Sequence, residues 1–137
     1  MSASKRKGTA WESEIVNYLR LVGVPHAERR ALAGAKDRGD IAGIPGVVIE
    51  CKSAARVELA AWVDEAETER ENDGAEYGIV AIKRRGRGSG GDGYAVLPVA
   101  SLVALLREAG YIPSLDPATG GAAAKDRRPS RPGVSLP

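Results

Sequence analysis

The segment from Gly39 to Lys52, GDIAGIPGVVIECK, constrains this 137-residue chain more than any other stretch. Pro45-Gly46 is a turn signal with short apolar runs on both sides, which predicts an antiparallel hairpin centred on Pro45. Position 40 then lies opposite position 50. Side chains alternate along a strand, so Val48, Glu50 and Lys52 point to one face and Val47, Ile49 and Cys51 to the other. Cross-strand partners share a face at roughly 4.5–5.5 Å between Cβ atoms, so Asp40, Glu50 and Lys52 are expected to meet. Two carboxylates facing each other destabilise a sheet unless something offsets the repulsion. A divalent cation does so, since Mg²⁺ is typically held by one or two carboxylates and keeps several waters. Lys52 beside them can orient a water or stabilise charge developing on a phosphoryl group. Taken alone, an Asp followed by Glu-x-Lys is most often a salt-bridged surface strand, and the rest of the chain has to separate the two.

The length predicts one domain, over residues 1–110, with a tail over 111–137. There is no Phe, so the core must be built from Val, Ile, Leu and Ala. No apolar run approaches the ~18 residues of a membrane span, and the N-terminus lacks the apolar segment of a secretory signal. A single cysteine, Cys51, excludes an internal disulfide and fits a reducing, cytoplasmic setting. Its strand parity turns it to the core. The lone His26 cannot anchor a zinc site with only one Cys and is expected as a half-exposed strand residue.

The net charge of +2 hides an uneven layout. Lys5-Arg6-Lys7 and Lys83-Arg84-Arg85 with Arg87 form basic clusters, whereas the run from Glu58 to Glu76 is strongly acidic. A chain with separate basic and acidic faces can present the basic one to a polyanion.

Along the chain, Lys5-Arg6-Lys7-Gly8 is expected as a flexible lead-in. Thr9 is a helix N-cap with Glu12 three residues on, a capping-box pattern. The helix should run to Val22, with Trp11, Ile15, Val16, Leu19 and Val22 as a buried stripe. Helical geometry places Glu12 within that stripe and Glu14 outside it. Glu12 is therefore either the capping-box partner or an acid held on the inner face. A strand over 24–32 follows, carrying Arg29 and Arg30. The loop 33–39 can close over a phosphate through its backbone, Lys36 and Arg38. After the hairpin come a helix over 57–73 whose acids form a solvated face, a strand over 77–83, a flexible loop over 85–93, a strand over 94–97 and a helix over 98–109. From Tyr111 onward Pro, Gly, Ser, Ala and charge replace periodicity, and the tail is expected to be disordered. This order predicts an α/β sandwich with a central mixed β-sheet flanked by helices.

Asp40, nine residues, then Glu50-Cys51-Lys52 resembles the PD-(D/E)XK nuclease signature, and the element order over about residues 6–106 resembles the restriction-endonuclease-like fold. The likeness is closest to archaeal-type and phage Holliday-junction resolvases, which open with a basic-Gly segment and a helix carrying an aromatic followed by Glu, here Arg6-Lys7-Gly8 to Trp11-Glu12. The resemblance implies a structure-selective endodeoxyribonuclease that hydrolyses phosphodiester bonds in branched DNA with Mg²⁺, for which Mn²⁺ can substitute. It implies Glu12, Asp40, Glu50 and Lys52 as catalytic residues. Glu12, Asp40, Glu50 and the Cys51 carbonyl become metal ligands. DNA contacts fall to Lys5, Arg6, Lys7, Arg29, Arg30, Lys36, Lys83, Arg84, Arg85 and Arg87. A homodimer is implied by the two symmetric cuts a four-way junction needs. Related activities are a nicking or duplex endonuclease, or a DNA-binding module without catalysis. Gly39 stands where the signature has Pro. Ala35 stands where resolvases often carry Ser. The chain has no Gln for the second helix, and Glu65 takes that place.

Overall fold

A computed structural model of the chain describes residues 2–31 and 37–115. Lys36 and the tail beyond 115 lie outside the described residues. The chain divides into two compact units, Met1–Leu97 and Pro98–Pro137. In chain order the elements are α1 (Ala3–Leu21), β1 (Glu28–Arg29), β2 (Ile41–Ala42), β3 (Val47–Lys52), α2 (Leu59–Asp73), β4 (Tyr77–Ile82), a short 3-10 turn (Gly90–Asp92), β5 (Tyr94–Val96) and α3 (Val99–Glu108).

The first unit is an α/β structure around an open mixed sheet ordered β1-β2-β3-β4-β5. Only β3 and β4 run parallel. Parallel neighbours need a long crossover, and α2 supplies it. Ile41 pairs with Ile49, so the next position outward sets Asp40 against Glu50, the register that a turn at Pro45 requires. Alternation along β3 gives the sheet two covered faces. On one, Trp11, Ile15 and Val16 of α1 pack on Ile41 and Ile49, with Val47, Cys51 and Ala81 around them. On the other, Trp62 and Ala66 of α2 pack on Val80 and Ile82, with Val63 and Val96. Each indole needs a polar partner when buried, and Trp11 Nε1 donates to the Ala81 carbonyl at 3.0 Å.

Four local expectations are corrected. Helix α1 starts at Ala3, not at Thr9, because Ser2 caps it by accepting the Lys5 amide at 3.2 Å. Lys5, Arg6 and Lys7 therefore sit on its exposed first turns, and Glu12, in mid-helix, is not a capping-box partner. The strand expected over 24–32 shrinks to Glu28–Arg29. The Val24 amide is taken by the Leu19 carbonyl (2.9 Å) and that of Ala27 by the Val24 carbonyl (3.2 Å), so the chain turns there and His26 is an exposed turn residue. The second half of the 85–93 loop is packed on α1. A Cβ added at Gly90 would lie 2.7 Å from the Glu14 carbonyl oxygen, and one at Gly93 2.7 Å from the Trp11 ring, so these glycines serve close approach. Finally, the acids of α2 are not all on a solvated face, since Glu69 is 2% exposed.

The second unit holds α3, with Pro98 at its N-cap and Gly110 at φ 83° just past its end. The Arg107 Nε donates to the Pro113 carbonyl at 3.1 Å beyond the helix. Among the described residues no helix is long and apolar enough to cross a membrane.

Candidate metal centre and anion cleft

The site grows from the way the hairpin meets α2. Gly39 adopts φ 93°, a conformation that L side chains rarely take, and a Cβ there would lie 2.7 Å from Val48 Cγ1. A proline at this position, with φ fixed near −65°, could not make the same turn. The turn carries Asp40 to the edge of β3, where its Oδ2 accepts the Cys51 amide at 2.7 Å. The carboxylate thus stands in for a main-chain acceptor and is fixed in place. Opposite it, Glu50 points to the α2 side of β3 and is 5% exposed. Two residues on, Lys52 lies on the same face, its Nζ 4.0 Å from Glu50 Oε1 and 2.8 Å from Glu65 Oε2. Asp40, Glu50 and Lys52 are therefore brought together.

Burial raises the Glu50 pKa to about 12, reinforced by the carboxyls of Glu69 and Asp40 in hydrogen-bonding reach. Without a cation, this acid keeps its proton. Burial works against the Lys52 charge, yet its hydrogen bond to Glu65 and the carboxylates of Glu50, Glu65 and Asp40 hold its pKa above the usual value. Lys52 is therefore an ammonium at neutral pH, suited to stabilising negative charge and unsuited to taking a proton. Glu12, on α1, is near enough to Asp40 to feel its charge, but the acids whose oxygens gather within 4.8 Å of one another among the described residues include neither Glu12 nor Asp40. Desolvation and the Asp40 charge raise the Glu12 pKa, while Arg29, whose guanidinium lies 3.8 Å away, lowers it. The Cys51 side chain packs toward α1, and burial followed by the charges of Asp40, Glu12 and Glu50 pushes its thiol up. The sulfur is thus no thiolate donor, leaving the carbonyl as the ligand atom Cys51 can offer.

Two acids that the sequence did not single out gather around Glu50 on its α2 side. Glu69 is nearly fully buried, and its pKa is raised by burial, against the hydrogen bond with Glu50 that lowers it, with the charges of Asp37, Glu65 and Asp40 adding to the rise. Asp37 is drawn toward α2 because Asn72 Nδ2 donates to its backbone carbonyl at 3.0 Å. One carboxylate oxygen from each of Asp37, Glu50, Glu65 and Glu69 lies within 4.8 Å of the others. A signal for Glu69 exists in the sequence. Positions 62, 66 and 69 form one helical stripe, and its other members, Trp62 and Ala66, are core residues.

The basic residues distribute unevenly. A cleft of about 380 Å³ is lined by Lys7, Trp11 and Glu14 of α1, by Ser53 just past β3, and by Lys83 and Arg85 past β4. It opens at the carboxyl ends of the parallel strands, where open α/β sheets usually place ligands, one residue beyond Lys52. Lys5 and Arg6 are exposed nearby in sequence on α1, and Arg84 is exposed beside Arg85. Three cations in the first turns of α1 add to the positive end of its dipole, which weakens the helix and attracts anions. Other arginines have intramolecular partners. Arg29 faces Glu12, Arg30 faces Asp73 at 4.0 Å, and Arg87 faces Asp92 at 4.0 Å.

No protein-family model, curated protein or solved structure matches this chain.

Proposed function

We propose that this protein is a Mg²⁺-dependent endodeoxyribonuclease of the PD-(D/E)XK kind, acting in the cytoplasm as a homodimeric Holliday-junction resolvase on branched DNA. The observation that carries the proposal is the convergence of Asp40, Glu50 and a charged Lys52 at one edge of β3, with Glu50 Oε2 buried, facing other carboxyls and reached by no donor among the described residues. An orphaned acidic oxygen next to a second carboxylate fits a hard cation. Asp40, Glu50 and the Cys51 carbonyl are the residues that hold it, with Glu12 from α1. Such an ion, when bound, supplies a water of lowered pKa and charge on the scissile phosphate. Lys52 contributes its ammonium to the charge that builds on the phosphoryl oxygens. Asp40, locked by the Cys51 amide, keeps the centre in register with the strand. The cleft of Lys7, Lys83 and Arg85 binds the phosphates flanking the cut, which gives affinity without a base code.

That last feature also favours a second reading, a nicking or duplex endonuclease of the same superfamily, because phosphate contacts are common to all DNA forms. Cleavage of an end-labelled four-way junction, a linear duplex and a single strand, each with Mg²⁺ and with chelator, separates the readings. A resolvase cuts the junction in paired symmetric positions, only with Mg²⁺. A duplex endonuclease cuts the linear substrate as well. Glu50→Gln and Asp40→Asn should each lower cleavage at least ~10²-fold while leaving DNA binding intact. Binding without cleavage under any divalent ion leaves only a DNA-binding module, and full activity in either variant removes the site assignment.

A further inference from the structure

We propose that Asp37, Glu50, Glu65 and Glu69 form a second divalent-cation site on the α2 side of β3, taking a hard, oxygen-seeking ion of the Mn²⁺ or Ca²⁺ type. It shares Glu50 with the centre described above and needs neither Asp40 nor Glu12, so it does not depend on the nuclease reading.

The argument begins with unsatisfied atoms. Among the described residues no donor reaches either carboxylate oxygen of Glu69, which is 2% exposed, or Oε2 of Glu50, which is 5% exposed, and the two carboxyls face each other within hydrogen-bonding reach. Buried carboxylates without partners are costly, and proteins resolve them with a proton, a hydrogen bond or a metal. A proton shared between Glu50 and Glu69 joins two oxygens, one on each. Three are reached by no donor among the described residues, so one oxygen stays without one. A cation can be reached by all four carboxylates, because their oxygens already lie within 4.8 Å of one another. Lys52, 2.8 Å from Glu65 and 4.0 Å from Glu50, sets one ammonium against this group, which even with Glu50 protonated still holds Asp37, Glu65 and Glu69.

The scaffold is rigid where it matters. Glu65 and Glu69 are four apart on α2, so the exposed Glu65 lies one turn from the buried Glu69, Glu50 is central in β3, and Asp37 is tied down through Asn72 and through the Gly39 amide on its Oδ1 at 2.9 Å. The donors are all anionic oxygens, which excludes soft metals. Mg²⁺ prefers one or two carboxylates and several waters, whereas Ca²⁺ accepts a more anionic, flexible oxygen shell and carboxylates also suit Mn²⁺. Since Glu65 also holds Lys52, an ion here competes with Lys52 for that carboxylate.

The test is calorimetric titration of the full chain with MnCl₂. Wild type should bind two equivalents, and Glu69→Gln should bind one. Glu65→Gln, altered at an exposed position, should weaken the same equivalent at least tenfold. Asp40→Asn should keep the equivalent that Glu69→Gln loses. Melting in chelator checks that each variant folds, and the rise in melting temperature on adding Mn²⁺ should shrink in Glu69→Gln. If both Glu69→Gln and Glu65→Gln titrate like wild type, the site does not exist. If Asp40→Asn titrates like wild type while Glu69→Gln loses an equivalent, this site stands and the nuclease centre falls.

Discussion

The two faces of β3 teach opposite lessons. On the α1 side, Ile49 meets Trp11, Ile15, Val16 and Ile41, and the buried indole N–H finds the Ala81 carbonyl. On the α2 side, one residue along, Glu50 faces Glu69, and among the described residues no donor reaches Glu50 Oε2 or either Glu69 oxygen. The first face is complete as an apolar core. The second is complete only with a proton or a cation in it. A strand with period two can therefore bury structure on one side and chemistry on the other, with the apolar side holding the acids in register.

The largest effect that tests this contrast is on the apolar face. Trp11→Ala should cost about 3–5 kcal/mol of unfolding free energy, the same with Mn²⁺ as with chelator. Denaturant unfolding checks it, and a loss that Mn²⁺ repairs would break the independence of the two faces. The next effect is pH dependence on the acidic face. Glu69 is raised from 4.5 to about 7 in the folded chain, and Glu50 is raised further. An acid with a raised folded pKa binds more protons folded than unfolded between the two values, so its contribution to stability is full below 4.5 and is lost as pH rises through that window. In chelator, unfolding free energy should drop on the order of 1–3 kcal/mol between pH 5 and pH 7.5, and Glu69→Gln should flatten the drop. A profile unchanged by Glu69→Gln would mean that the acid is solvated. The smallest effect belongs to the basic cleft, away from both faces. Lys83→Ala or Arg85→Ala should reduce the salt slope of DNA binding by up to ~0.9 units per lost phosphate contact, equally for junction and duplex. An unchanged slope would place DNA elsewhere.

The hairpin was legible in the sequence because two local rules agree on it. Pro45-Gly46 sets the turn, and strand alternation then leaves one register that puts Ile41 against Ile49 and Asp40 against Glu50. Element order was legible for the same reason, since apolar periodicity and Gly stops mark α2, β4 and α3. The helix start was missed because Ser2 and Thr9 are both acceptable caps, and the choice falls to the helix propensity of the residues between. The strand expected over 24–32 is shorter because Val24 closes the end of α1 instead of pairing. Glu69 was hidden by its neighbours. Glu65, Glu67 and Glu71 surround it in sequence as a solvated face would, and only its place on the stripe of Trp62 and Ala66 sets it apart. Asp37 was invisible because its approach depends on Asn72, 35 residues away.

The central claim is that the burial of Glu50 is organised around a cation. Anomalous diffraction at the manganese edge, from crystals soaked in MnCl₂ at pH 7.5, tests it directly. The account predicts a peak within coordination distance of a Glu50 carboxylate oxygen, ~2.0–2.6 Å. A map with no peak there, and Glu50 still bonded to Glu69 through a shared proton, would contradict it.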